Sequence, residues 1–281
     1  MAEAIAPEQG SPPSNNVTLR DLIVRRWLPF ILSRPQAQIV NRFLLGIALR
    51  GMGVDNHDLS QGDERRLLRR LRKTLPVDPV VFDVGANVGQ YASLVLAEFP
   101  AARLYSFEPN PHAFAKLTQA VKSAHFWPAN VALGAAPGAS VMFDHADTQG
   151  SWHGSLVKGV IETVHRDRAQ EIPVEIATVD DVMAAHGLDE IDLLKIDVEG
   201  FEADVLRGAR RAIGARRIGV VQFEFNEMNV VSKRFLADFE LLLPGYRLHR
   251  LLLNGDLLDI SNASNLKREL FGYQNIVARP R

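Results

Sequence analysis

Two acidic residues and two glycines are spaced in a way that could hold a cofactor. The segment Asp83-Val-Gly85-Ala-Asn87-Val-Gly89 follows a short apolar run, and Glu108 lies 23 residues after Gly85. Glycines at a strand-to-helix turn let the backbone approach a ligand closely, and the start of the helix offers free N–H groups. The spacing matches neither the G-x-G-x-x-G dinucleotide fingerprint nor a phosphate loop, which needs Gly-Lys-Ser/Thr. An acidic residue before the glycines favours a cation such as S-adenosylmethionine, and Glu108 could accept hydrogen bonds from both ribose hydroxyls.

Carboxylates also follow two later apolar runs. Asp197 comes directly after IDLLKI, and Glu224 lies near the end of IGVVQFEF. If these runs are neighbouring strands, which lie about 4.8 Å apart, Asp197 and Glu224 converge at the edge that carries the glycine turn. A hydroxyl nucleophile needs a base or a metal to remove its proton, so both are candidate catalytic residues that share a proton or hold Mg²⁺ with Asn226. Glu199 and Glu202 are expected to charge the start of the next helix.

A histidine is the third catalytic candidate. His153 lies in Ser151-Trp-His-Gly-Ser155, within the polar insertion loop 145–171, which interrupts the alternation of strands and helices. An unperturbed pKa of about 6.5 suits a histidine to general-base work near neutral pH. A long insertion of this kind is more often a lid or a binding loop than scaffold. Lys195, two residues before Asp197, is expected to point to the opposite side and to be structural.

The elements that must position these residues alternate between strands and helices. Buried strands are predicted at 80–84, 103–107, 127–133, 191–196 and 218–225. Alternation of this kind predicts an α/β fold with a doubly wound, mostly parallel sheet. The chain ends differently, because Asn254-Gly255 predicts an antiparallel hairpin of 246–253 and 256–260 with a type I′ turn. A last strand is predicted at 273–278, and runs 140–144 and 172–177 are expected to pair across the insertion.

Five motifs in order carry a resemblance to a known family. VFDVGANVGQYA, FEPNP, NVALG, LLKIDVEGFEADVLRGA and VQFEFN resemble the FkbM-type methyltransferase family over about residues 80–278. The resemblance implies a class I, Rossmann-like methyltransferase fold with a seven-stranded sheet. It also implies an S-adenosylmethionine-dependent enzyme that methylates a hydroxyl oxygen of a sugar, a glycan or a secondary metabolite.

The resemblance further implies which residues bind the cofactor. These are Asp83, Gly85, Ala86, Asn87, Gly89, Glu108, Pro109, Asn130, Val131, Ser155 and Asp197. The glycine segment would line the methionine part, Glu108 would hold the ribose, and Asn130 and Val131 would lie near the adenine. Ser155 belongs to a Ser-rich segment that would close near the site.

The front of the chain lies outside this resemblance. Residues 1–16 are rich in Pro, Ser and Asn and are expected to be a disordered arm, while 17–78 predict a helical extension before a catalytic domain at 79–281. Residues 1–78 carry 12 Lys/Arg and 8 Asp/Glu, a net charge of +4, which leaves 20 against 25, or −5, for the remainder. The extension could therefore cap the domain, contact an anionic substrate, or pair two subunits through its apolar faces.

Composition excludes several classes of protein. The chain has 281 residues, no cysteine and a formal net charge of −1. Thiolate metal sites, disulfides and cysteine nucleophiles are thus excluded, and bulk charge does not favour binding to nucleic acid or to an anionic membrane. No run reaches the roughly 20 apolar residues of a membrane-spanning helix, and the N-terminus does not resemble a secretory signal, which predicts a cytoplasmic protein.

Two alternative functions stay open from the sequence. The first is a nucleic-acid methyltransferase on the same fold, although the chain has no [DN]-P-P-[YFW] motif and only the basic N-terminal helices support it. The second is a non-catalytic binding module that kept the fold. The identity of the methyl acceptor is not encoded in any motif of the chain.

Overall fold

The computed structural model describes residues 23–56, 60–146, 151 and 153–281, and divides into two compact units, 1–48 and 49–281. The predicted disordered arm 1–16 lies outside the described residues. The division falls well before the predicted boundary at 78/79, because the helix Ser60–Leu71 belongs to the second unit. No helix in the described ranges is long and apolar enough to cross a bilayer.

The helices are short, and most of them lie between strands. In chain order they are α1 Leu28–Leu32, α2 Gln38–Gly51, α3 Ser60–Leu71, α4 Gln90–Glu98, α5 Pro111–Ala120, α6 Val160–Thr163, α7 Val179–Ala185, α8 Glu202–Gly208, α9 Arg210–Gly214, α10 Met228–Val231, α11 Leu236–Leu242 and α12 Asn265–Arg268. A π-helical turn (Ile23–Trp27) precedes α1, and a 3₁₀ turn (Pro35–Ala37) precedes α2. The described part of the first unit, residues 23–48, is therefore helical. The carbonyl of Leu32 accepts hydrogen bonds from Gln38 at 3.1 Å and Asn41 at 2.8 Å, which joins α1 to α2.

The second unit is built on two sheets. Its strands are β1 Val80–Val84, β2 Arg103–Phe107, β3 Phe126–Ala129, β4 Ala132–Leu133, β5 Gly138–His145, β6 Ala169–Ala177, β7 Ile191–Ile196, β8 Ile218–Phe225, β9 Tyr246–Leu251, β10 Leu257–Asp259 and β11 Gln274–Pro280. The main sheet has the order β10-β9-β11-β8-β7-β1-β2-β3, in which β8, β7, β1, β2 and β3 are parallel. The carboxyl ends of these five strands consequently meet at one edge.

The main sheet corrects the predicted strand count. It has eight strands rather than seven, because the hairpin strand β10 pairs with β9 at the edge of the sheet. The predicted antiparallel ending is confirmed, since β11 runs antiparallel to both β8 and β9. The predicted type I′ turn is wrong: of the Asn254-Gly255 pair only Gly255 has a positive φ, +79°, whereas a type I′ turn needs two.

The insertion forms a small second sheet in the order β4-β6-β5. The predicted pairing of 140–144 with 172–177 is confirmed, because β5 and β6 are antiparallel. The predicted strand 127–133 is wrong, since the chain turns at Asn130 and splits into β3 and β4, which lie in different sheets. The side-chain amide of Asn130 donates to the carbonyls of Glu108 at 2.8 Å and Pro109 at 2.9 Å, and these bonds hold the turn.

Helices cover both faces of the main sheet and supply its apolar core. On one face α3, α4 and α5 bring Leu67, Leu68, Val95 and Leu117 against the strands. On the other face α7, α8, α9 and α11 bury a second cluster around Phe82 and Phe223. Both faces of the parallel strands are therefore buried, which explains their continuous apolar runs.

Candidate active site

A cavity of about 610 Å³ opens at the carboxyl edge of the parallel strands. Seven carboxyl side chains line it: Asp55, Glu64, Glu108, Asp197, Glu199, Glu224 and Glu227. Among the described lining residues, Lys195 is the one ammonium group and no arginine is present, while His153 and His165 are the histidines. A low-dielectric cavity with this balance of charge favours a cationic ligand.

The glycine turn after β1 forms one wall of the cavity. Gly85 has φ +81°, and a Cβ there would overlap the carbonyl oxygen of Asp197, so only glycine lets the two loops approach. The N–H groups of Gly85 and Ala86 both donate to the carbonyl of Phe107, at 2.9 and 3.0 Å, which fixes the turn against β2. Gly85, Ala86 and Asn87 line the cavity, as the sequence predicts.

Two members of the predicted glycine segment lie outside the cavity lining. Gly89, at φ +90°, precedes α4, and a Cβ there would come within 2.8 Å of Leu117 and 2.9 Å of Val121. Gly89 therefore allows α4 to pack against α5 rather than contacting a ligand. Asp83 is fully buried within β1, below the turn, and is not among the described cavity-lining residues, so its place beside the methionine part stays a prediction.

Glu108 is buried at the end of β2 and borders the cavity. Its carboxylate accepts from the N–H of Asn87 at 2.9 Å and of Asn110 at 2.8 Å, which ties the two cofactor motifs together. Burial raises the pKa of Glu108 to about 7, despite these hydrogen bonds. Pro109 lines the cavity beside it. Asn130 and its neighbour Val131 were predicted near the adenine, but neither is among the described cavity-lining residues, because Asn130 is used to hold the Glu108 loop.

Lys195 corrects another expectation. Side chains two residues apart in a strand share a face, so Lys195 points to the same side as Asp197 and not to the opposite one. Its ammonium donates to Asp197 at 2.9 Å and lies 3.8 Å from the Asp83 carboxylate. Burial alone would lower the pKa of Lys195, but the charges of Asp197 and Asp83 raise it above its usual value, so it stays protonated.

Asp197 and Glu224 meet, as the sequence predicts. Strands β7 and β8 are adjacent with Ile196 opposite Phe223, so the next residues of both strands face each other. Burial raises the pKa of Glu224 well above its usual value, and the charge of Asp197 adds to the effect. Burial also opposes ionisation of Asp197, but the charge and hydrogen bond of Lys195 outweigh it and lower that pKa. The two pKa values are thus driven apart, and the pair holds its proton on Glu224 rather than on Asp197.

The predicted magnesium site does not fit this arrangement. The side-chain amide nitrogen of Asn226 donates to Glu224, and its oxygen accepts from the N–H of Met228 at 2.9 Å, so no Asn226 oxygen faces the carboxylates. Asp197 already pairs with Lys195. Within the described part of the chain, no three His, Asp or Glu side chains are arranged to hold a metal ion.

His153 lines the cavity from the insertion. Its Nδ1 lies 3.2 Å from the Glu199 carboxylate, and the hydrogen bond to Glu199 raises the pKa of His153 above 6.5. Glu199 follows β7 with a φ of +54° and is buried. Its carboxylate holds the His153 ring and, contrary to the expectation, does not charge the start of α8. Glu202 is the first residue of α8, and its carboxylate accepts a hydrogen bond from the N–H of Gly200 at 3.0 Å. It therefore stays at the helix start, as expected.

Ser155 holds the insertion in place. Its hydroxyl donates to the carbonyl of Glu199 at 2.7 Å and accepts from the N–H of Val157 at 3.0 Å. Among the described residues of the insertion, Ser151, His153, Gly154, Leu156, Val164 and His165 line the cavity, whereas Ser155 does not. The predicted cofactor contact of Ser155 is therefore replaced by a structural one, while the expectation of a binding loop agrees with the lining.

Two further titratable side chains also line the cavity. Glu64 on α3 accepts from the Gln222 side chain at 3.0 Å, and burial raises its pKa to about 7. Glu64 lies three and four residues before Leu67 and Leu68, so the helical period places it on the buried face of α3. This position could have been read from the sequence. His165 packs 4.5 Å from the His153 ring, and burial lowers the pKa of His165 to about 4.

Comparisons with known proteins identify the family of the chain. The model of the methyltransferase FkbM domain matches residues 83–247. The 31-O-demethyl-FK506 methyltransferase FkbM of Streptomyces tacrolimicus is 31% identical over 53% of this chain and 66% of its own length. The 2-O-methyltransferase NoeI of Sinorhizobium fredii is 28% identical over 61% of this chain and 73% of its own length. The hexuronic acid methyltransferase AglP of Haloferax volcanii is 24% identical over 57% of this chain and 62% of its own length. The chain thus spans somewhat less than two thirds of two of these relatives.

Proposed function

We propose that this chain, which belongs to the methyltransferase FkbM domain family, is an S-adenosylmethionine-dependent enzyme that methylates a hydroxyl oxygen of a sugar or a secondary metabolite. The observation that carries this proposal is the cavity of seven carboxyl groups beside a glycine turn. S-adenosylmethionine has a sulfonium and an ammonium group, and both suit such a cavity. The ionised carboxylates of the cavity, Asp197 among them, would repel a phosphate-rich acceptor such as a nucleic acid.

The cofactor side of the cavity would be formed by Gly85, Ala86, Asn87, Glu108 and Pro109. Glu108 keeps acceptor capacity on both carboxylate oxygens, which suits it to the ribose hydroxyls. S-adenosylmethionine supplies an electrophilic methyl group when it is bound. The protein must then hold an acceptor oxygen in line with that methyl group and remove the proton of the oxygen.

His153 is the best of the three candidate bases. Asp197 is a weak base, because Lys195 lowers its pKa, and Glu224 already carries a proton. His153 has its Nδ1 held by Glu199, which leaves Nε2 as the nitrogen that takes the proton. Nε2 of His153 would take the proton of the acceptor oxygen, while the bound cofactor would supply the methyl group and keep the carbon–sulfur electron pair on its sulfur.

Asp197 and Glu224 would orient the acceptor. The ionised Asp197 accepts a hydrogen bond from a hydroxyl, and the protonated Glu224 can donate one, so the pair suits a ligand with neighbouring hydroxyl groups. The names of the relatives support this chemistry, since they describe O-methylation or a hexuronic acid substrate. A hydroxyl-rich small molecule is thus the acceptor class that we propose.

Calorimetry with S-adenosylmethionine tests the cofactor half of the proposal. We expect binding by the wild type and binding weakened by about tenfold or more in Glu108→Gln, because hydrogen bonds to a charged group contribute about 1.5–3 kcal/mol. Glu190→Gln, at an exposed position away from the cavity, is the matched control and should bind like the wild type. An equal loss in both variants would contradict the assignment of Glu108.

Mass spectrometry tests the acceptor half. The enzyme is incubated with S-adenosylmethionine and a panel of sugars, uronic acids and hydroxylated metabolites, with and without EDTA. We expect a mass gain of one methyl group on a hydroxyl compound, and the same yield with EDTA. Methylation of RNA or DNA alone would overturn the proposed acceptor class, and loss of activity in EDTA would restore the metal hypothesis.

A further inference from the structure

Helix α2 exposes a stripe of apolar side chains of the kind that a helix in a globular domain buries. Along α2, Ile39, Phe43 and Ile47 recur at four-residue spacing, with Val40 and Leu44 beside them. Ile39 is 76% exposed and Phe43 is 66% exposed. Neither α1 nor α2 contains a buried residue. Amphipathic helices of soluble domains turn such a stripe toward a core, so this stripe is built to meet something else.

The turns before α2 continue the apolar surface. Trp27 is 60% exposed, and Leu28, Phe30 and Ile31 on α1 are exposed as well. Tryptophan is enriched where protein meets the headgroup region of a bilayer, because its ring is amphipathic.

The charge of the same region has one sign. Residues 23–54 contain Arg25, Arg26, Arg34, Arg42 and Arg50 and no acidic residue, a net charge of +5 in a chain whose total is −1. The net charge of the whole chain, which does not favour an anionic partner, therefore averages over a strongly basic segment. Arginine stems can lie along an apolar surface while their guanidinium groups reach phosphates.

We propose that residues 23–51, here called the basic apolar segment, dock onto the surface of an anionic lipid bilayer. Helix α2 would lie in the interface with its apolar stripe among the acyl chains and its arginines at the headgroups. Its 14 residues span about 21 Å at about 1.5 Å per residue, less than the roughly 30 Å of a bilayer core, so it lies on the membrane rather than crossing it.

A second copy of the chain is the competing occupant of this surface. Pairing two copies would bring together two segments that each carry five arginines and no acidic residue. An anionic bilayer supplies the opposite charge at the same place as the apolar phase. Charge complementarity therefore favours the lipid surface over the homo-oligomer that the sequence alone suggested.

Vesicle sedimentation with the full chain tests this proposal. We expect the wild type to bind vesicles that contain about 30% phosphatidylglycerol much more strongly than vesicles of phosphatidylcholine, and to be released by salt. Arg34→Gln/Arg42→Gln should lower the partition coefficient about 25-fold, since each arginine near the surface contributes about fivefold. Ile39→Ser/Phe43→Ser/Ile47→Ser should lower it by more than about tenfold.

Leu241→Ser/Leu266→Ser is the matched control, because these leucines of the second unit are 82% and 87% exposed and should not affect vesicle binding. Circular dichroism and S-adenosylmethionine binding establish that each variant is folded, and they keep this test separate from the proposed methyl transfer. Equal binding to both vesicle types, or unchanged binding of the stripe variant, would overturn the proposal. So would a wild-type dimer that the stripe variant dissociates without any vesicle binding.

Discussion

The two walls of the cavity are built in different ways. The glycine wall (Gly85, Ala86, Asn87, Glu108 and Pro109) comes from two consecutive strand-to-helix turns, and its shape is set by backbone hydrogen bonds. The titratable wall joins Glu64, His153, Asp197, Glu199 and Glu224, which come from α3, the insertion and two further strand ends. The first wall is rigid and local, whereas the second is an assembly of charges from distant parts of the chain.

We expect the glycine wall to act in cofactor binding and the titratable wall to act in the chemical step. The backbone groups of the glycine wall do not titrate, so they can hold a cofactor without a change in protonation state. The titratable wall works through proton positions, since Lys195 keeps Asp197 ionised and Glu199 raises the pKa of His153. We therefore expect substitutions in the glycine wall to abolish binding or folding, and substitutions in the titratable wall to change rates and their pH dependence.

Gly85→Ala should have the largest effect. The added Cβ would overlap the Asp197 carbonyl at a φ of +81°, and we expect the free energy of unfolding to fall by about 4 kcal/mol, about half from backbone strain and half from overpacking. Binding of S-adenosylmethionine should be lost in calorimetry. Urea denaturation measures the stability.

Gly187→Ala is its matched control, because Gly187 also has a positive φ, +61°, but a Cβ there meets open space. It should cost about 1 kcal/mol and leave cofactor binding unchanged. If both variants behaved alike, backbone strain alone would explain the effect and the close approach at Gly85 would not matter.

The glycine wall is also the part that the sequence could predict best. Gly85, Ala86, Asn87 and Glu108 are nearly contiguous in two motifs, so their grouping needs only the order of the strands. Gly89 belongs to the same motif but serves helix packing, which depends on Leu117 and Val121 of another helix.

The titratable wall was harder to predict, because its members are brought together by tertiary structure. The pairing of Asp197 with Glu224 followed from adjacent parallel strands. Glu64 was overlooked because the extension was treated apart from the catalytic domain, although its helical face held the signal. The packing of His165 on the His153 ring could not be predicted, because it depends on how the insertion folds back.

Asp197→Asn and Glu224→Gln should differ sharply. Removing the charge of Asp197 takes away both the partner of Lys195 and the proposed hydrogen-bond acceptor, and we expect kcat to fall about 10³-fold. Glu224 is already protonated, so glutamine keeps a neutral donor, and we expect a loss of less than about tenfold. Methyl-transfer kinetics on any accepted substrate measure both. Comparable losses would mean that Glu224 is ionised and the proton assignment is wrong.

Lys195→Met tests whether the charges of the titratable wall also stabilise the fold. It would leave the buried Asp83 without its positive neighbour, and breaking a buried pair in this way costs about 3 kcal/mol of unfolding free energy. Asp83→Asn in the same background should recover much of that loss, as measured by urea denaturation. A double variant no more stable than Lys195→Met would contradict the coupling of these two residues.

The pH dependence of the rate gives the finest test of the titratable wall. Glu199 raises the pKa of His153, and the neutral ring is the base, so the rising limb of kcat/KM against pH should lie above pH 6.5. His153→Gln should lower the rate about 10²-fold and flatten this limb. Glu199→Gln should move the limb to lower pH, because the imidazolium loses its stabilising partner.

His165→Gln is the control that decides between the neighbouring rings. Burial lowers the pKa of His165 to about 4, so its ring is neutral throughout the neutral range and cannot be the group that titrates on this limb. The limb should therefore persist in His165→Gln. A limb that survived in His153→Gln but vanished in His165→Gln would transfer the role of base from one ring to the other, while leaving the glycine wall and its cofactor assignment intact.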